Sequence, residues 1–268
     1  MKILTLNAHS LSEKNQLLKT KQTAKFIQEN KIDVVFLQEV CQTIFKSEVR
    51  SNAYYTGEEN LKSDNYALSL SNELMALEEY YDWTWIPIKL GFGRFEEGVA
   101  IFSKKPILEV EDFVISKAQA FINWRKRASL GIRNGDGWFY TTHMGWWADE
   151  EDPFLGQWKA LHERLQQKEG YVFLGGDFNA PDFIPDQSYQ TILQSAWKDT
   201  YVLAREKIGK DSAKGNIVGW KSSDIQSMRI DYIFVNQDVP VLSSRIVLDG
   251  KNGQQVSDHY GVLIEVEI

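Results

Sequence analysis

Asp33-Val34-Val35-Phe36-Leu37-Gln38-Glu39 is a run of apolar residues that closes on an amide and a carboxylate. Its length and its β-branched and aromatic content predict a buried strand. Upstream, residues 2 to 7 (Lys2-Ile3-Leu4-Thr5-Leu6-Asn7) alternate as a strand does. Between the two runs, from about Asn15 to Asn30, a helical pattern sets Leu17, Ala24 and Ile27 on one face. Strand, helix, strand predicts a crossover unit, in which the C-terminal ends of both strands emerge at the same edge of a sheet. Asn7 and Glu39 stand at those two ends.

Downstream, residues 65 to 79 read as helix and Tyr81 to Ile88 as a strand. Further strands are expected at 99 to 102, 107 to 115, 127 to 133 and 137 to 142, the last ending at His143. A helix from about Pro153 to Lys168 carries Phe154, Trp158, Leu161 and Leu165 on one face, with Pro153 where its missing N–H does no harm. Val172-Phe173-Leu174 is another buried strand, and Gly175-Gly176 lead from it into Asp177. After a partly helical stretch at 188 to 207, strands are expected at 229 to 235, 241 to 248 and 260 to 267. Strands in both halves, without a repeat, a low-complexity tract or a linker, predict one α/β domain over residues 1–268. Two sheets packed face to face with helices outside fit the order.

The chain has 268 residues, 43% hydrophobic and 25% charged, with 9 Trp, 11 Tyr and 14 Phe, enough to close a sizeable core. The formal charge of −7 disfavours a protein that lives by neutralising a nucleic-acid backbone. Cys41 is the only cysteine, so a metal here must be held by oxygen or imidazole. No apolar run is long enough for a signal peptide or a membrane span, and the expectation is a cytoplasmic protein that does not engage membranes.

Asn7, Glu39, His143, Asp177, Asn179, Asp231, Asp258 and His259 all fall at or beside expected strand ends. A lone histidine there is usually an ordinary surface or core residue, and a single Asp before a turn is usually a turn former. Together, hard oxygen donors and imidazoles supply what phosphate-ester hydrolysis needs: ligands for a divalent cation, a base for water and donors for the charge that grows on the phosphoryl oxygens.

Thr5-Leu6-Asn7, Leu37-Gln38-Glu39, Gly98 to Ser103, Thr142-His143, Gly176-Asp177-Phe178-Asn179, Arg229 to Ile233 and Ser257-Asp258-His259 resemble, in order and over practically the whole chain, the motifs of the endonuclease/exonuclease/phosphatase superfamily. The resemblance implies a four-layer α/β/β/α sandwich of two mixed sheets with the active site at one edge. It implies Glu39 as the direct Mg²⁺ ligand, with Mn²⁺ as a possible substitute, and Asn7 and Asp258 close to the metal. Asp177 would orient or deprotonate water, Asn179 would position water or phosphate, and His143 and His259 would stabilise phosphoryl oxygens. Asp231 would hold His259 protonated, since a carboxylate beside an imidazole raises its pKa and fixes its tautomer. His9 stands where some nuclease branches carry an acid, and is expected to support the ligands rather than to be one.

Such a site does not choose its ester. After His143 the chain sets Trp146 and Trp147 beside Asp149, Glu150, Glu151 and Asp152, where acids would repel a polyanionic strand and Trp faces suit sugar rings. Plain packing under a loop is the alternative for each tryptophan. Phe92, Trp124 and Trp220 are further candidates for the rim, and Lys104-Lys105 and Arg125-Lys126-Arg127, with Arg125 foremost, for a phosphate contact, although short basic runs usually mark a solvated face. Gly91 to Glu97, His143 to Trp158 and Gly215 to Trp220 look like a Gram-positive branch that includes maltose 6′-phosphate phosphatases. The expected substrate is therefore a small phosphorylated sugar. The rivals are a nuclease acting on abasic or nonspecific DNA with the same residues, and a scaffold that keeps the fold without the chemistry.

Overall fold

A computed structural model describes residues 1–58, 60–184, 188–214 and 227–268. In chain order the elements are β1 (Lys2–Asn7), α1 (Gln16–Asn30), β2 (Val34–Thr43), α2 (Tyr66–Ala76), β3 (Asp82–Gly91), β4 (Phe95–Ser103), β5 (Glu109–Val114), β6 (Ala128–Asn134), β7 (Gly137–His143), α3 (Phe154–Leu165) and β8 (Val172–Asp177). Then come α4 (Ser188–Gln194), β9 (Lys198–Asp199), α5 (Thr200–Leu203), β10 (Glu206–Ile208), β11 (Ala213–Lys214), β12 (Ser227–Met228), β13 (Asp231–Val235), β14 (Val241–Val247) and β15 (Gly261–Val266). Seven strands form one mixed sheet, in the order β10-β14-β15-β1-β2-β4-β3, and six form another, β5-β6-β7-β8-β13-β9; β11 and β12 pair separately. As the crossover reading requires, β1 and β2 are parallel, and so are β7 and β8.

Alternation along each strand explains the layering, because successive side chains leave opposite faces of a sheet. Ile3, Val34, Phe36, Val99 and Ile101 of the first sheet share one core with Leu130, Ile132, Phe139, Phe173 and Ile233 of the second. Their neighbours Leu4, Leu6, Val35, Leu37, Ala100 and Phe102 pack outward, in one cluster with Ala24 and Ile27 of α1 and Leu70 and Leu74 of α2. On the far side, Tyr140, Val172, Leu174, Tyr232 and Phe234 pack with Phe154, Trp158, Leu161 and Leu165 of α3. The result is helix, sheet, sheet, helix. Leu17 departs from expectation: it is 69% exposed, because the buried stripe of α1 begins only at Thr20 and runs through Thr23, Ala24 and Ile27.

The inner layer turns polar toward one end, and that transition places the site. Beyond Ile3 on β1 come Thr5 and Asn7; beyond Phe36 on β2, Gln38; beyond Phe139 on β7, Thr141 and His143; beyond Phe173 on β8, Gly175 and Asp177. Gln38 Nε2 donates to Thr141 Oγ1 at 2.8 Å, tying the sheets together just before this edge. Gly175 lets the layers close: a Cβ there would lie 2.4 Å from the Phe36 ring. Gly176 has φ +153, and a Cβ would stand 2.0 Å from the carbonyl oxygen of Thr142 on parallel β7.

Candidate active site

β13 runs antiparallel to β8, so its first residue, Asp231, lies directly across from Asp177, and parallel β7 brings His143 level with Asp177 on the other side. Glu39 reaches the same place by a different device. Leu37 pairs with Ala100 but Val40 with Gly98, so β2 carries one extra residue, and Glu39 has φ +51. The bulge lets consecutive side chains face inward, Gln38 to Thr141 and Glu39 to Asn7.

Asn7, fully buried, holds two carboxylates with one amide nitrogen: Nδ2 donates to Glu39 Oε1 at 2.9 Å and to Asp177 Oδ2 at 3.0 Å. Its Oδ1 accepts the backbone N–H of His9 at 3.1 Å. The Nε2 atoms of His143 and His259 stand 3.7 and 3.9 Å from the same Asp177 oxygen. His259 Nδ1 donates to Asp231 Oδ2 at 2.9 Å, and Ser212 Oγ donates to that oxygen at 2.7 Å. Asn179 takes a left-handed turn, φ +49; its N–H donates to Asp177 Oδ1 at 2.9 Å and its Nδ2 to the Met144 carbonyl at 3.0 Å. Asp258 lies at the lip, 3.7 Å from His9 Nδ1, which also donates to Glu13 at 2.8 Å. His9, Glu39, Phe92 and Asn179, all lining this cleft, share left-handed backbone, a concentration of strained residues of the kind found at functional sites.

Electrostatics separate the groups by role. Burial, with Asp231 next to it, pushes the Asp177 carboxyl up to about 7. Burial opposes charge on His259, but Asp231 and Asp177 outweigh it and raise the imidazole to about 10, so it is cationic at neutral pH. His143 goes the other way: burial, then Arg127 and Lys89, hold it well below its ordinary value and hence neutral. Glu39 is raised by burial and by Glu97.

Every catalytic and metal-ligating residue expected from the sequence therefore converges on one edge of the sandwich. The rim candidates divide. Phe92, Trp124 and Trp146 line the cleft. Trp147 lies instead along a neighbouring groove with Pro153, Phe154 and Leu155. Arg125 is not among the residues lining the cleft: it pairs with Asp149 at 2.8 Å and Glu151 at 2.9 Å and stacks on Trp124 at 4.4 Å, so it props the rim. Trp220, with the Gly215 to Trp220 stretch, lies outside the described residues. Lys89 and Glu97 line the cleft and Ser212 supports Asp231, none of them expected at the site, while Arg127 of the expected basic run lines the cleft as well. Arg127 sits in the basic run, so composition held a signal for it; Ser212 had none.

A divalent cation fits what is present. Glu39 and Asp177 bring carboxylates together at one amide, and ligand atoms of Glu39, His143 and Asp177 lie within 4.8 Å of one another. Among the described residues no lysine or arginine pairs with Glu39 or Asp177. Carboxylates so gathered, with no lysine or arginine on them and the His259 imidazolium 3.9 Å from Asp177, suit a hard metal ion.

The sequence profile of the Endonuclease/Exonuclease/phosphatase family matches residues 4–259. Among solved structures, an endonuclease/exonuclease/phosphatase family protein from Leptotrichia buccalis is similar at 28% identity over 100% of both chains, with a TM-score of 0.87. A mannosyl-6-phosphatase from Bacteroides thetaiotaomicron is similar at 16% identity over 100% of both chains, TM-score 0.68. D. rerio TDP2, complexed with a single-strand DNA product, is similar at 15% identity over 100% of this chain and 99% of that one, TM-score 0.66. The last two likenesses are of fold alone. Comparison with curated proteins finds no match.

Proposed function

The chain belongs to the endonuclease/exonuclease/phosphatase family, whose members are generally hydrolases, and from that premise we propose a divalent-metal-dependent phosphomonoesterase acting on a sugar phosphate, maltose 6′-phosphate or a related disaccharide phosphate. The observation that carries the substrate class is the cleft itself. It encloses about 200 Å³, with the carboxylate and imidazole cluster at its floor and Phe92, Trp124 and Trp146 at its walls. That is less than the 300 to 1,000 Å³ or so of sites that swallow a drug-sized ligand. Such a cleft suits one phosphoryl group and the sugar that bears it, with a second ring resting on the aromatic rim. Glu150, in the neighbouring groove with Trp147, and the net charge of −7 oppose a long polyanion.

Glu39 would hold the metal directly, with Asn7, which bonds Glu39, and Asp258 at the lip close to it. When bound, Mg²⁺, or Mn²⁺ in its place, neutralises charge on the phosphoryl oxygens. Asp177, held by Asn7 and flanked by His143 and His259, is placed to take a proton from the attacking water. His259, kept cationic by Asp231, presents Nε2–H to the charge that grows on the phosphoryl group, and neutral His143 flanks Asp177 from the other side. Asn179, anchored to Met144, fixes the turn that carries Asp177.

Phosphate release should be measured with Mg²⁺ across maltose 6′-phosphate, glucose and mannose 6-phosphates, nucleotides and inositol phosphates, with plasmid and abasic DNA beside them. A sugar phosphate, above all a disaccharide phosphate, should be the best substrate. Rapid DNA nicking without phosphate release from any sugar phosphate would overturn the proposal.

A further inference from the structure

Two cations in the cleft wall have no part in the chemistry described so far. Arg127 is 4% exposed, and its Nη1 donates to the carbonyl oxygens of Trp124 at 2.8 Å and Lys126 at 3.1 Å. Among the described residues its buried Nε has no hydrogen-bond partner, and no carboxylate forms an ion pair with it. Lys89 lies directly across from Glu97 in the β3–β4 register, where one extra residue on β3 turns it inward, and bonds Glu97 at 2.9 Å. Glu97, Asp177 and Glu39 offset the guanidinium's charge from a distance, but none of them bonds it, and its buried Nε is left an open donor. A buried donor without an acceptor is unfavourable unless a bound group completes it.

We infer that Arg127, backed by Lys89, is an anion subsite that grips the free oxygens of a terminal phosphoryl group and so makes the site selective for phosphomonoesters over phosphodiesters. This rests on the phosphomonoesterase reading. A phosphomonoester near neutral pH carries close to two negative charges and three terminal oxygens. A diester carries one charge and two, its third position being a second ester link. A guanidinium is a rigid fork that matches two oxygens of such an anion, whereas an ester-linked organic group lodged there would leave the buried donors unpaired. Position agrees with chemistry. Arg127 and Lys89 border the cleft beside His143, whose basicity they depress, and His143 touches Asp177, so the subsite adjoins the hydrolytic centre. The aromatic walls at Phe92, Trp124 and Trp146 lie where the organic part would be.

The test compares Arg127→Met and Arg127→Lys with wild type, using p-nitrophenyl phosphate against bis(p-nitrophenyl) phosphate, together with binding of inorganic phosphate in Mg²⁺ by calorimetry. Arg127→Met should lower kcat/KM for the monoester about 100-fold and for the diester less than about 5-fold, and should weaken phosphate binding at least 10-fold. Arg127→Lys keeps the buried charge but loses the fork, so it decides the matter if the Met variant does not fold; its monoester preference should drop about 10-fold. Equal loss on both esters, with phosphate binding unchanged, would overturn the inference. If wild type hydrolyses no monoester, the parent reading fails. The calorimetric arm still judges Arg127, since phosphate held by wild type and released by the variant supports the subsite on its own.

Discussion

Asp231→Asn isolates the interaction that governs His259. The substitution keeps shape and the contact with Ser212 but removes the carboxylate 2.9 Å from Nδ1. In the folded protein His259 is raised from 6.5 to about 10, against a burial effect that lowers it, by Asp231 first, then Asp177 and Asp258. At 1.36 kcal/mol per pKa unit, that net rise corresponds to about 5 kcal/mol. If the contacting carboxylate supplies half or more of it, Asn at 231 removes roughly 2 to 3 kcal/mol and brings the imidazole to about pH 8 or below. The sign follows from linkage. A group whose folded pKa is raised contributes stability that is fully present below its unfolded value and is lost as pH climbs through the folded one. For wild type the loss runs from about 6.5 to about 10, and in the variant the window narrows from the top. The assay is an NMR titration of ¹³C-labelled histidine in metal-free protein, followed by thermal melts across the same pH range. A wild-type His259 midpoint near 6.5, or an unchanged midpoint near 10 in Asp231→Asn, would refute the reasoning.

Asp177→Asn should lower turnover by several orders of magnitude without lowering the melting temperature of the metal-free protein at pH 7.5, because it removes the proton acceptor and a buried charge that opposes folding without changing volume; circular dichroism and phosphate release check both halves. Glu39→Gln should shift the Mg²⁺ titration of activity to higher concentration, and an unchanged titration would remove Glu39 from the metal site. In the metal-free protein the raised carboxyls of Asp177 and Glu39 oppose folding as they ionise, so stability should fall as pH rises from about 4 through 7, and Mg²⁺ should raise the melting temperature more at pH 7.5 than at pH 5. Gly175→Ala should destabilise by about 1 to 3 kcal/mol, since its Cβ meets the Phe36 ring at 2.4 Å, and denaturant melts would show it.

What could be read beforehand was whatever follows from period and order. The apolar run at 33 to 37, the α3 stripe of Phe154, Trp158, Leu161 and Leu165, and the polar residues closing each strand all announce themselves, because burial and alternation are local properties. Bulges and inter-strand partners are not local. Simple alternation would send Glu39 and Lys89 to the wrong face, and only an extra residue in β2 and in β3 turns them toward the cleft. Of three consecutive cations, the one that turns inward is Arg127; Arg125 is drawn off by Asp149 and Glu151, carboxylates supplied by a loop 24 and 26 residues away. Leu17 misled for the opposite reason: it has the period of the buried face but lies a turn ahead of the point where that stripe begins.

The proposed function requires that remote strand ends gather one hard-cation and phosphoryl site. Crystals grown with Mn²⁺ and inorganic phosphate, measured at the manganese edge, test it directly. An anomalous peak bonded to the Glu39 carboxylate, with the phosphate against His259, is the expected result; manganese bound elsewhere, with the Glu39–Asp177 cleft lacking both ions, would contradict it.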